Sequence, residues 1–437
     1  MKVIILDGAN ETDPTRESVL SSLNHEILAR GWKGELILLR KHKIGNCGGD
    51  FFCWIRSPGL CNIDDDNRRI ARSITNCDIL VFLTPIAFGG YSSVLKRMLD
   101  HMTQNNLPFF TMKSGEIHHP HRYGHTPKLL AIGWTDRLEP EEEAIFHHLV
   151  QRNAINMHFS VTISRIFHNN RSDENLQILI RSSLENLENG KAAPGAYLPT
   201  ITNSQIERAP IQQALVLIGS PRGRKSTSSA LGGYLAERLI AHGIPTETIQ
   251  VYPALGSQER TRALLEAVNA KDLIILAFPL YIDGLPGPVM RLLELIAAQD
   301  PAIQPAGKSR RAAFTAIVNS GLPEAEQNQT ALAICAQIAR RAGYTWAGGL
   351  ALGAGYSVVN GTHLDQLGWR GASIREALEL SASSLASGHP IPSEAVKLMA
   401  KRRISNWMFL LLGPISWLLK AWKYGAVRTL WRQPYKA

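Results

Sequence analysis

The feature that most limits how this 437-residue chain can fold is a pattern written twice. Asp78-Ile79-Leu80-Val81-Phe82-Leu83-Thr84-Pro85 continues through Gly90 to a helix-like stretch ending at Asp100. Asp272-Leu273-Ile274-Ile275-Leu276-Ala277-Phe278-Pro279 continues through Gly284 to Glu294, each landmark 194 residues later. Each unit also opens with a short apolar run entering a glycine turn, residues 3–6 before Asp7-Gly8 and residues 215–218 before Gly219-Ser220, at an offset of 212. Repetition at this scale means two related supersecondary units. The difference of 18 residues places an insertion in the first unit, in the interval that holds Cys47, Cys53 and Cys61.

Uniformly apolar strands alternating with amphipathic helices predict a parallel sheet covered on both faces. In the second unit the pattern predicts strands at 214–218, 246–251, 273–278, 312–318 and 346–352, with helices near 226–242, 258–270, 286–298 and 327–342. The expected fold class is α/β: two flavodoxin-like doubly wound parallel-sheet domains with a C-terminal helical tail, ligands sitting at the carboxyl ends of the strands. The expected domains are 1–191, with the cysteine insertion, and 211–395. A linker rich in Ala, Pro, Thr, Gly and Asn spans 192–210, and a basic, tryptophan-rich tail spans 396–437.

Charge narrows the partners. The formal net charge is +10, but no acidic residue follows Glu394, and the tail holds nine Lys and Arg. The body is nearly neutral, which excludes a nucleic-acid binder. The first eight residues read as a strand and not as a secretory signal, so a cytoplasmic location is expected.

The strongest chemical signal is Gly219-Ser220-Pro221-Arg222-Gly223-Arg224-Lys225-Ser226-Thr227-Ser228-Ser229, set between a strand and a helix. Hydroxyls, three cations and the free N–H groups of a helix start suit a phosphate. The loop has neither a Walker ending nor G-x-G-x-x-G spacing, which favours a mononucleotide. The second unit here resembles the NADPH-dependent FMN reductase branch of the flavodoxin superfamily. The resemblance implies that Gly219, Ser220, Arg222, Ser226, Thr227 and Ser228 hold the FMN phosphate. It also implies that Pro279, Leu280, Tyr281, Ile282 and Gly284 lie along the isoalloxazine, where an aromatic can stack.

The first unit resembles the iron-sulfur flavoprotein-like members of the same family. The likeness runs through Cys47, Cys53, Cys61, Asp64-Asp65-Asp66 and the stretch Thr84 to Tyr91, and it implies cofactor contacts at Pro85, Ile86, Phe88, Gly89 and Gly90. Its first loop keeps Thr15, Arg16 and Ser18 but adds Glu11, Asp13 and Glu17, acids that repel phosphate. Asp50 stands where a second array cysteine would be. A metal site at Cys47, Cys53 and Cys61, an aspartate-ligated iron-sulfur cluster, a redox thiol pair and plain buried thiols are all open. His118, His119, His121 and His125 read as a solvated loop or a metal group.

From Trp407 to Trp422 the tail is apolar and broken by Gly413-Pro414, too short to span a bilayer. It suits either peripheral contact with the inner face of a membrane or docking on protein. The resemblance implies an NAD(P)H-dependent, FMN-containing oxidoreductase passing electrons to a small-molecule acceptor such as a flavin or quinone, with a homodimer as the family's habit. No side-chain acid, base or nucleophile is required of such a protein. The alternative is an electron carrier or membrane-docked scaffold with no dedicated substrate.

Overall fold

The runs of Val, Ile and Leu that open each unit become central strands covered on both faces. The computed structural model describes residues 1–10, 14–137, 139–168, 173–192, 195–200, 211–299 and 312–436. In the first unit the strands are β1 (Lys2–Asp7), β2 (Lys33–Leu38), β3 (Ile79–Ala87), β4 (Gly90–Tyr91), β5 (Thr111–Lys113), β6 (Glu116–His118), β7 (Lys128–Thr135) and β8 (Thr162–His168). In the second they are β9 (Ala214–Ile218), β10 (Thr246–Gln250), β11 (Leu273–Pro279), β12 (Ala313–Asn319) and β13 (Thr345–Leu352). Residues 3–7 and 214–218 are all buried, which requires apolar cover on both sides of the sheet.

The long strands of the first unit lie in the order β2-β1-β3-β7-β8 and those of the second in the order β10-β9-β11-β12-β13, all parallel. Numbered within each unit this is 2-1-3-4-5, the flavodoxin-like winding. The helices of the second unit, Thr227–Ala241, Gln258–Ala270, Gly287–Ala297 and Gln329–Arg341, fall where the apolar periodicity put them.

Register corrects one offset. Asp7 pairs with Leu83 and Ile218 with Ala277, so Asp7 is the counterpart of Ile218 and the opening strands are offset by 211, one fewer than the apolar runs alone indicated. The cause is a substitution at the strand end: the first unit closes its strand on a buried acid, which a hydrophobicity pattern reads as the start of the turn.

Contacts divide the chain into Met1–Pro199 with Trp407–Ala437, and Thr200–Asn406. The tail boundary therefore moves from 396 to 407. Helix Ser393–Ala400 belongs to the second unit, because Ala395 and Met399 are fully buried in its core.

The remaining tail packs on the first unit. Helix Asn406–Trp422 runs on through Gly413-Pro414 without the expected break. Gly413 lies so close to the Phe110 ring that a Cβ there would stand 2.4 Å from it. Phe409 meets Phe110 edge to face at 4.8 Å, and Trp417 meets Phe51 and Trp54 at 5.2 and 5.1 Å. Further on, the buried Arg122 donates to the carbonyls of Leu430 at 2.7 Å and Arg432 at 3.0 Å, and the Tyr435 hydroxyl donates to Gln104 Oε1 at 2.8 Å. Among the described residues no helix is long and apolar enough to cross a membrane.

Candidate functional site

In the second unit, β9 and β11 are neighbours, so the loops leaving their carboxyl ends lie side by side. The first loop is a tight turn. Gly219 N–H donates to Ala277 O at 2.8 Å, and a Cβ at Gly219 would come 2.5 Å from Val289 Cγ2, so only glycine keeps the turn against the helix after β11. A 3₁₀ turn at Gly223–Lys225 follows, with Gly223 at φ +53°, and helix Thr227–Ala241 begins. Ser226 caps it: its hydroxyl accepts from Ser229 N–H at 3.0 Å and donates to Gly223 O at 2.7 Å.

Four sequence-predicted residues gather at this helix start. Ser220, Ser226, Thr227 and Ser228 are buried, and the first-turn N–H groups of Thr227 and Ser228 are those that helix geometry leaves without intrahelical partners. Arg224 and Lys225 stand exposed beside them. The loop holds no acid, and the helix dipole presents its positive end. The donor set fits a phosphate monoester. The partly buried Arg222 is held at the loop: both terminal nitrogens donate to Asn360 Oδ1 at 3.1 Å, and its guanidinium lies 5.4 Å from the centre of the Tyr356 ring.

The loop after β11 is a two-residue hairpin turn. Tyr281 and Gly284 exchange backbone hydrogen bonds, each 3.0 Å, with Ile282 at φ +44° and Asp283 at φ +58° between them. Asp283, Gly284 and Leu285 are buried, whereas Pro279, Leu280, Tyr281 and Ile282 stay partly open. These four give an apolar ledge beside the phosphate-type loop, fitted to a flat aromatic ring.

One position that the motifs did not point to ties the loops together. Asn319, the last residue of β12, donates to Ser228 Oγ at 2.9 Å and to Phe278 O at 3.0 Å, and Leu280 N–H donates to Asn319 O at 2.8 Å. The segment after β13 then closes over the first loop: Thr227 Oγ1 donates to Gly355 O at 3.1 Å, and Gly361 abuts Lys225 O. An asparagine closing a buried, mostly apolar strand was the available signal, since the carboxyl end of every strand of such a sheet lies at the ligand edge.

The first unit builds the same frame with different chemistry. Gly8 N–H donates to Leu83 O at 2.8 Å, and a Cβ at Gly8 would meet Leu95 Cβ at 2.6 Å. Phe88 (φ +57°) and Gly89 (φ +82°) make the hairpin turn between β3 and β4, where Ile86 pairs with Tyr91 and Ala87 with Gly90. Pro85 and Ile86 stay partly open, but Phe88, Gly89 and Gly90 are buried. At the first turn the buried Asp7 accepts from Ala9 N–H at 2.9 Å, from Arg16 Nε at 2.6 Å and from Arg40 at 3.3 Å, and Arg16 also pairs with Glu17. The cation that a phosphate would need is already bound. Glu11 and Asp13 lie outside the described residues.

Among the described residues no group of three or more His, Cys, Asp or Glu is placed to hold a metal ion. Cys61 Sγ sits 3.3 Å from His101 Nδ1, in a buried contact. Burial pushes the Cys47 thiol up to about 12 and that of Cys53 well above the ordinary range, and it raises that of Cys61. In the metal-free chain all three therefore rest protonated. The histidines are engaged in structure: His118 with Asn156 Oδ1 at 2.7 Å, His119 with Phe109 O at 2.8 Å, His121 with Tyr123 O at 3.0 Å and His125 with Cys77 O at 2.8 Å.

Residues 1–117 match the model of the NADPH-dependent FMN reductase family. The match covers only the part of the first unit from β1 into β6, the part whose first turn is closed by Asp7. An iron-sulfur flavoprotein of Methanocaldococcus jannaschii is 28% identical over 100 residues, 23% of this chain and 51% of that protein. The chain thus spans about half the length of the curated relative it matches. Among solved structures, an NAD(P)H:quinone oxidoreductase from Methanothermobacter marburgensis has 15% identity, a TM-score of 0.35 and coverage of 43% of this chain and 97% of its own. An FMN-dependent NADH-azoreductase from Bacillus anthracis in complex with FMN has 13% identity, a TM-score of 0.30 and coverage of 40% and 100%.

Proposed function

We propose that the chain is an NAD(P)H-dependent flavin oxidoreductase that holds FMN in its second unit and reduces a small-molecule acceptor. The observation that carries this is the pairing, on adjacent strands β9 and β11, of an acid-free phosphate-type loop with the half-open ledge of Pro279, Leu280, Tyr281 and Ile282. The match of residues 1–117 to the NADPH-dependent FMN reductase family model supports a flavin enzyme.

The residues divide the work. Ser220, Ser226 and the first-turn N–H groups of Thr227 and Ser228 would hold the phosphate, with Arg222, Arg224 and Lys225 offsetting its charge. Asn319 fixes the spacing of the two loops by bonding to both. Tyr281 would lie against the ring, and Ile282 and Leu280 would shield it from water. When bound, FMN supplies the redox chemistry, accepting hydride from NAD(P)H and passing electrons on.

The test is an absorption spectrum of purified protein with released flavin counted per chain. About one FMN per chain, reduced on adding NAD(P)H, is the expected result. A protein that neither carries FMN nor takes it up on reconstitution overturns the proposal. Uptake of FMN without NAD(P)H turnover would make the chain an electron carrier.

A further inference from the structure

Helix Asn406–Trp422 is apolar on nearly all sides, yet only one side is covered. Phe409, Gly413, Trp417 and Ala421 recur every four residues and face the first unit. The opposite side presents Trp407, Leu411, Ile415, Leu419 and Trp422, flanked by Met408 and Leu412. The two tryptophans near the ends of this row are 67% and 74% exposed, so seven large apolar side chains stand in water along one 17-residue helix. A helix that is hydrophobic all round is normally buried all round, and a continuous patch of this size marks an interaction site.

Charge decides what covers it. No acidic residue follows Glu394, while Lys423, Arg428, Arg432 and Lys436 are exposed in the same segment. Lys420 stands over the Trp417 ring at 4.3 Å. Two copies of such a face would bring like charges together, which disfavours self-pairing. An anionic bilayer surface satisfies both features at once: the acyl boundary takes the leucines, the headgroup zone takes the tryptophans, and anionic lipid takes the cations.

We propose that this helix seats the protein on anionic membranes, lying in the interface plane with the Trp407–Trp422 side down and its Phe409–Trp417 side still packed on the first unit. The proposal does not rest on flavin binding. The packed side fixes the helix on a folded body, so no ordering cost is paid at the membrane, in contrast to a disordered tail.

The experiment is co-sedimentation of the full-length protein with phosphatidylcholine vesicles and with vesicles of two parts phosphatidylcholine to one part phosphatidylglycerol. Binding to the anionic vesicles alone, weakened by added salt, is expected. Trp407→Ser with Trp422→Ser should abolish it, with an unchanged thermal melt, because both side chains lie outside the packing on the first unit. Lys423→Glu with Arg428→Glu should weaken it by more than about tenfold, as surface cations contribute roughly fivefold each. Equal binding to both compositions overturns the proposal. So does absence of binding, whether light scattering then finds a monomer or a dimer that the tryptophan double variant splits, the latter assigning the face to a second copy.

Discussion

Asp7 and Arg16 form a buried pair at the mouth of the first unit, Nε to carboxylate at 2.6 Å, with side chains 0% and 4% exposed. The same corner of the second unit has Ile218 and an open, acid-free loop. One frame is closed on itself and the other offers its donors outward. Asp7→Asn removes the buried charge that Arg16 and Arg40 share and leaves Arg16 paired with the exposed Glu17, so the first unit should lose about 3 kcal/mol, read as a lower urea midpoint.

Flavin retention should respond to the second loop. Arg222→Ala is expected to weaken FMN binding about tenfold to a hundredfold, the value of one charge-assisted contact, with little change in the melt because Arg222 is only partly buried. Fluorescence quenching on titration with FMN measures it. The matching change Arg16→Ala should leave FMN binding untouched.

Gly219→Ala tests the turn. Its Cβ would meet Val289 at 2.5 Å, so helix Gly287–Ala297 must shift, at a cost of about 1–3 kcal/mol. Thermal denaturation of the FMN-free protein should show this as a lower melting temperature of the second unit.

Acid should weaken the first unit ahead of the second. Burial lowers the titration of His119 and His121 from about 6.5 to about 4. Between those values the unfolded chain binds protons that the folded chain does not, so stability falls as pH drops from 6.5 toward 4 and is regained above it. Discounted for their partly open edges, the two cost roughly 1 kcal/mol each near pH 5. Urea midpoints at pH 7 and pH 5 check this, and His119→Gln should flatten the dependence.

A chain ending at residue 406 should keep a normal second unit and a weakened first one. Arg122 would lose the carbonyls of Leu430 and Arg432, and Phe110 and Trp54 would be uncovered, a loss of several kcal/mol. Ending at 395 should also lower the second unit's melt, because Met399 leaves its core. Two melts by calorimetry separate the cases.

The α/β class and the second unit's strands and helices were legible because each is written locally: an apolar run or a helical period. The offset of 194 even aligns Phe88-Gly89 with Ile282-Asp283, the residues that turn both hairpins at positive φ. What local pattern cannot carry is which distant polar groups meet. Asn319 reaching Ser228, and Asn360 with Tyr356 holding Arg222, span 91 to 138 residues and follow from strand order alone. The tail was legible as apolar and basic. Its seat on the first unit was not, because Phe110, Trp54 and Arg122 carry no periodic mark of a receiving surface.

The first unit is thus made of two stretches of chain with the second unit's entire sequence between them. On a ribosome its sheet emerges first, but Phe110, Trp54 and Arg122 must wait, uncovered, until some two hundred further residues have been added. At about 5–20 residues per second that interval lasts tens of seconds. A nascent chain of this design passes its most adhesive moment with one domain folded but unsealed, and the seal arrives only after the second unit has emerged.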